Sequence, residues 1–232
     1  MNIFTVFAAA FVVVSVALVL FSYAPADKPY WVWRSFALGF AAWATAEIVW
    51  SFYNLGNTEV PVPSIADGLW YLGYLFFTMG FIRQYRIAYQ TKAWFEWGSA
   101  ALVWAVVLGL TMGATFFIND GQLSLPALVD ISYPFADLAL IVFALGLVWA
   151  FRGGAFARPW LSMVVFALSD GLYAWLVQTG TYAWSVDAGN PLSLATDMLY
   201  LVAYFVIGLG FFSQYHLLHN FPKIKISTDI SQ

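Results

Sequence analysis

Seven stretches of this chain are each long and apolar enough to cross a lipid bilayer, and that pattern constrains the fold more than any other feature. A helix needs about 20 mostly apolar residues to span about 30 Å of hydrocarbon. Residues 3–23, 31–53, 65–85, 93–118, 125–151, 160–180 and 194–218 qualify. Breakers separate them: Pro25 and Pro29, Pro61 and Pro63, Asn119-Asp120-Gly121, Gly153-Gly154, and Asn190-Pro191. Only 9% of the residues are charged, against about 25% in soluble domains. The expected fold is an all-α, polytopic membrane protein of seven transmembrane helices over residues 1–220, with a short cytoplasmic tail at 221–232. The first stretch lacks a basic leader and its apolar run is too long for a signal peptide, so it reads as a retained helix.

The cations orient these helices. Lys28 and Arg34, then Arg83, Arg86 and Lys92, then Arg152 and Arg158, and finally Lys223 and Lys225 flank alternate connections and the tail. The intervening connections hold Glu59, Asp120 and Asp187 and no cation. Under the positive-inside rule this places the C-terminus in the cytoplasm and the N-terminus outside it, in a multi-pass protein of the cell membrane.

The chain also repeats itself. Asp67, Trp70, Tyr74, Gly80, Phe81, Gln84 and Tyr85 recur 130 positions later as Asp197, Tyr200, Tyr204, Gly210, Phe211, Gln214 and Tyr215. Glu47 and Trp50 correspond to Asp170 and Tyr173 in the preceding helices. The copies cover about 33–85 and 160–215, and a fainter one over 93–151 places Asp130 and Tyr133 opposite Asp67 and Trp70. One helix plus three parallel-repeat hairpins is the expected organisation.

The repeat sets an acid three residues before an aromatic five times: Glu47–Trp50, Asp67–Trp70, Asp130–Tyr133, Asp170–Tyr173 and Asp197–Tyr200. That spacing puts both side chains on one helix face, and Asp137 adds a sixth acid. Helix capping accounts for an acid in the first turn, and Ser64-Ile-Ala-Asp67 has the form of a capping box. Glu47, Asp137 and Asp170 lie deeper, where an acid costs about 2.5–3.5 kcal/mol or more to insert, so they require the bundle interior and a partner. With no Lys or Arg at that depth, the partners are tyrosine, tryptophan or hydroxyl groups, water, protons or a bound cation. A metal held by oxygen ligands from among these six acids and an organic cation against aromatic faces both fit. The candidate ligand-binding set is Glu47, Trp50, Asp67, Trp70, Tyr74, Asp130, Tyr133, Asp137, Asp170, Tyr173, Asp197, Tyr200 and Tyr204.

Other chemistry is excluded or weak. A net charge of −3 and a pI near 5.1 provide no nucleic-acid footprint. There is no cysteine and there are two histidines, which removes thiol catalysis and His-rich zinc sites. The last apolar stretch contains no lysine, so no retinal Schiff base can form there. No catalytic motif is present, and the chain does not read as an enzyme.

Pro63-Ser-Ile-Ala-Asp67 with Tyr71-Leu-Gly-Tyr74, Glu47-Ile-Val-Trp50, Tyr133-Pro134-Phe-Ala-Asp137, Asp170-Gly-Leu-Tyr173, Gly180-Thr-Tyr182 and Asp197-Met-Leu-Tyr200 form one set. The set resembles the seven-helix N-terminal membrane region of bacterial diguanylate cyclases and phosphodiesterases, and of some archaeal histidine kinases, over residues 30–215. The resemblance implies a sensory input module. Asn220–Gln232 carry no GGDEF motif, EAL motif or kinase core. The expectation is therefore a stand-alone sensor with an outward-facing acidic-aromatic pocket, signalling through a cytoplasmic or membrane partner or a second copy of itself. A cation- or proton-coupled transporter and a structural subunit of a membrane complex are the alternatives.

Overall fold

The computed structural model describes residues 2–55, 61–90, 94–118, 120–182 and 190–220. Glu59, Lys92, Asp187, Lys223, Lys225 and the expected tail at 221–232 lie outside the described residues. Among the described residues the chain is seven long helices: α1 (Asn2–Phe21), α2 (Lys28–Leu55), α3 (Ile65–Tyr89), α4 (Trp94–Ile118), α5 (Leu125–Ala150), α6 (Arg158–Gln178) and α7 (Pro191–Asn220). Each contains a stretch able to cross a membrane. The protein is a multi-pass membrane protein whose environment is a lipid bilayer, where helices satisfy every backbone polar group internally.

Local chemistry explains where helices start and stop. Ser64 caps α3: its hydroxyl accepts from the Asp67 N–H, and the Asp67 carboxylate accepts from the Ser64 N–H, so the expected capping box is present. Ser124 accepts from the Ala127 N–H at the start of α5, and Pro126 occupies the first turn, where a missing N–H is harmless. At the end of α6, Gly180 adopts φ 66°, a left-handed conformation open to glycine. The chain then returns so that the Thr181 and Tyr182 N–H groups both donate to the Leu176 carbonyl.

The helices alternate in direction and close into a ring. The α2–α3, α4–α5 and α6–α7 hairpins follow one another, with α3 against α4 and α5, and α5 against α6. Helix α1 packs between α7 and α2 and completes the circle. Ala8, Val12, Val16 and Val19 on α1 are fully buried while Phe4, Phe7, Val14 and Phe21 are exposed, so the helix left over by the repeat is a member of the ring with one face inward. Helix α4 is the peripheral one, with Leu102, Val106, Leu108 and Leu110 turned outward.

Two contacts fall at positions that the sequence repeat pairs. Arg83 on α3 donates to the Ser35 hydroxyl on α2 at 2.7 Å, and Arg158 on α6 donates to the Ser213 hydroxyl on α7 at 2.8 Å. Ser35 corresponds to Arg158, and Arg83 to Ser213, so the same pair occurs in both copies with donor and acceptor exchanged between helices. Arg83→Ala and Arg158→Ala should each cost about 1 kcal/mol of stability and add nearly independently in the double variant. Thermal unfolding in detergent checks this.

The half of the bundle toward the Arg83 and Arg158 end is filled with aromatic rings. Trp33 stacks on Trp160 at 5.6 Å, and Phe36 meets Phe77, Phe81 and Phe211. All are buried. These side chains reach across the ring and join helices that are not neighbours around it.

Candidate functional site

Above the aromatic core, the opposite half of the bundle encloses a cavity of about 610 Å³. Residues near one end of every helix reach it: Thr5 of α1, Glu47 and Trp50 of α2, Asp67, Trp70 and Tyr74 of α3, Ile118 of α4, Asp130 and Tyr133 of α5, Asp170 and Tyr173 of α6, and Tyr200 of α7. No lysine or arginine is among its lining residues. Ten of the thirteen residues expected from sequence to form a binding site therefore share one surface. Asp137, Asp197 and Tyr204 are not on it.

Tyrosine hydroxyls hold most of the acids in place. Tyr133 Oη donates to Asp67 Oδ1 at 2.6 Å, while Asp67 Oδ2 accepts from the Ser64 N–H and hydroxyl at 2.6 and 2.7 Å. Tyr74 Oη donates to Asp137 Oδ1 at 2.6 Å. Tyr200 and Tyr204 both donate to Glu47 Oε1, at 3.1 and 2.9 Å. Tyr182 Oη donates to Asp197 Oδ1 at 2.5 Å. Partial burial, together with that hydrogen bond to the Asp197 carboxyl, pushes the Tyr182 hydroxyl above its usual range.

Apart from Tyr182–Asp197, these tyrosine–acid bonds run between hairpins. Tyr133–Asp67 and Tyr74–Asp137 tie the first hairpin to the second, and the two tyrosines on Glu47 tie the third to the first. The faint copy has a physical explanation: Asp137 stands where the other two copies have Tyr74 and Tyr204. An acid at that position lets one copy accept from the tyrosine of another. Asp170 lies beside Asp137 and the Tyr74 hydroxyl, at the junction of the second and third hairpins.

The walls of the cavity are mostly rings. Trp50 and Trp70 lie 5.7 Å apart, Trp70 meets Tyr133 edge-on at 6.1 Å, and Tyr71 stacks on Tyr133 at 5.4 Å. Tyr71 is fixed in turn by the Ser132 hydroxyl. Tyr173 and Tyr200 lie 6.0 Å apart on the α6–α7 side. Trp43, fully inside the bundle, also lines the cavity and donates its indole N–H to the Trp70 carbonyl at 2.9 Å.

Sequence reasoning missed Trp43 and Thr5, and it named Tyr182 in a motif without placing it among the candidate binding residues. Trp43 sits in an apolar run without an acid at the repeat spacing, although the small residue Gly73 that makes room for its ring was visible. Thr5 lies on a helix outside the repeat. Tyr182 lies in a connection and bonds back to the next helix. Among the described residues no three of the acids and histidines converge as metal ligands. No family model, curated protein or solved structure matches this chain.

Proposed function

We propose that this protein is a sensor-like, ligand-binding module of the cell membrane. In this reading its N-terminus and cavity mouth face the exterior and its C-terminus faces the cytoplasm. The observation that carries it is the cavity: its volume falls within the range of about 300–1,000 Å³ typical of small-molecule pockets, and acids and rings from all three hairpins meet there. The cation distribution supports the orientation, and the resemblance to sensory regions of cyclases and kinases agrees with it. A ligand bridging the hairpins biases their packing only by its differential affinity for two arrangements. The readout would lie at the far end of the same helices, where a partner is contacted.

A transporter would need a polar route through the other half of the bundle, which Trp33, Phe36, Phe77, Phe81, Trp160 and Phe211 occupy. Proteoliposomes are expected to show no proton or cation flux. The natural absence of cysteine makes the coupling testable by spin labels on Ala88→Cys and His219→Cys, at the far ends of α3 and α7. Ala174→Trp, which fills the cavity from α6, serves as a stand-in for ligand. The mean distance is expected to shift by about 1–2 Å, the scale of helix displacements in switching proteins. An unchanged distribution would reject transmission and favour a structural subunit.

A further inference from the structure

We propose that the cavity binds an organic ammonium ion, held against aromatic faces with Glu47 as its counter-charge; this rests on the ligand-binding reading above. Glu47 is 6% exposed yet lines the cavity. Both tyrosine hydroxyls that reach it bond Oε1, and among the described residues no hydrogen bond reaches Oε2. A carboxyl oxygen so placed accepts from a guest.

The polar inventory of the cavity points the same way. Its acids are acceptors when ionised, and the hydroxyl of Tyr133 is already spent on Asp67, as is that of Tyr200 on Glu47. The indole N–H of Trp43 is spent on a backbone carbonyl. What these groups offer a guest is acceptor oxygens and ring faces, so a complementary guest brings donors and positive charge. A hard metal ion would need about six to eight converging oxygens. No cluster of three acids or histidines meets that need among the described residues, and a cavity of about 610 Å³ is far larger than an ion. An ammonium group within about 6 Å of a tryptophan or tyrosine face is attracted by the ring quadrupole. Trp50, Trp70 and Tyr133 form one wall, and Tyr173 and Tyr200 form another.

The absence of cysteine again supplies the test. Ala174→Cys places a thiol on the cavity wall, and Gln122→Cys places one on the exposed connection between α4 and α5. Each variant, in proteoliposomes, is treated with a trimethylammonium-bearing and a sulfonate-bearing methanethiosulfonate, and the two reaction rates are compared. The cation-to-anion rate ratio at Ala174→Cys is expected to exceed that at Gln122→Cys by about tenfold, the lower end of the focusing expected in a cleft of one charge sign. Phenylethylammonium or tetraethylammonium should slow labelling at Ala174→Cys, whereas the neutral isostere phenylethanol should not. Adding Glu47→Gln should reduce both the ratio and the protection. Equal ratios at the two positions without ammonium protection would overturn the ammonium assignment and leave an accessible cavity. Failure of either reagent to reach Ala174→Cys while Gln122→Cys reacts would overturn the cavity reading as well.

Discussion

Gly73→Ala is expected to be among the most destabilising single-methyl additions in the bundle. A Cβ at Gly73 would overlap the Trp43 indole and approach the Gly39 carbonyl at 3.1 Å. Except toward the cavity, the indole is hemmed in. Tyr74, Phe77 and Phe166 surround it with ring centroids at 5.1, 4.9 and 5.1 Å, and its N–H is tied to the Trp70 carbonyl. Overpacking a filled interior costs about 1–3 kcal/mol, and breaking the buried indole hydrogen bond adds about 1–3 kcal/mol. Gly68, five residues earlier on the same helix, has nothing within 4 Å of its added Cβ. There the gain in helix propensity makes Gly68→Ala neutral or stabilising by up to about 1 kcal/mol. The two variants thus carry opposite signs, and thermal unfolding in one detergent separates them. Since Trp43 lines the cavity, Gly73→Ala should also weaken whatever the cavity binds, whereas Gly68→Ala should not.

How much of this was legible depends on which physical rule each residue obeys. The helices were, because bilayer insertion demands long apolar runs: α5 was expected at 125–151 and occupies Leu125–Ala150. The acid–aromatic spacing brought Glu47, Asp67, Asp130 and Asp170 to one surface, because a burial-averse carboxyl and its ring share a helix face. Which way an acid turns around that face was not encoded at the same level. Asp137 stands one turn beyond Tyr133, outside the five acid–aromatic pairs, and its carboxyl meets Tyr74, a residue 63 positions away. The place of α1 was equally hidden. A helix without polar pattern gives no facing signal, and its burial between α7 and α2 follows from the gap that three hairpins leave in the ring. The capping box at Ser64 was readable because it is local, within four residues. The two serine–arginine pairs were not, because they join residues 48 and 55 positions apart.

The distinction between acids that face the cavity and acids that brace it leads to the second large effect. Asp137→Leu should destabilise the protein by about 1–3 kcal/mol, because it breaks the buried Tyr74 hydrogen bond and leaves that hydroxyl only Asp170 to turn to. Tyr74→Phe should cost about 1–3 kcal/mol from the other side, since Asp137 Oδ1 would join Oδ2, which has no hydrogen bond among the described residues. Replacing both partners removes both orphaned groups, so the Asp137→Leu, Tyr74→Phe double variant should be more stable than the sum of the singles predicts by about 1 kcal/mol or more. Asp137→Asn retains an amide oxygen for Tyr74 and should stay within about 1 kcal/mol of the parent. Glu47→Gln likewise keeps an acceptor for Tyr200 and Tyr204 while deleting the charge at the cavity wall. It is therefore expected to unfold near the parent temperature and to lose ligand-dependent stabilisation, whereas Asp137→Leu should lower the unfolding temperature with ligand and without it. Strict additivity of the Asp137 and Tyr74 substitutions would show that the pair does not bond across the hairpins. Equal loss of fold in Glu47→Gln and Asp137→Leu would remove the separation of binding from bracing on which the site assignment depends.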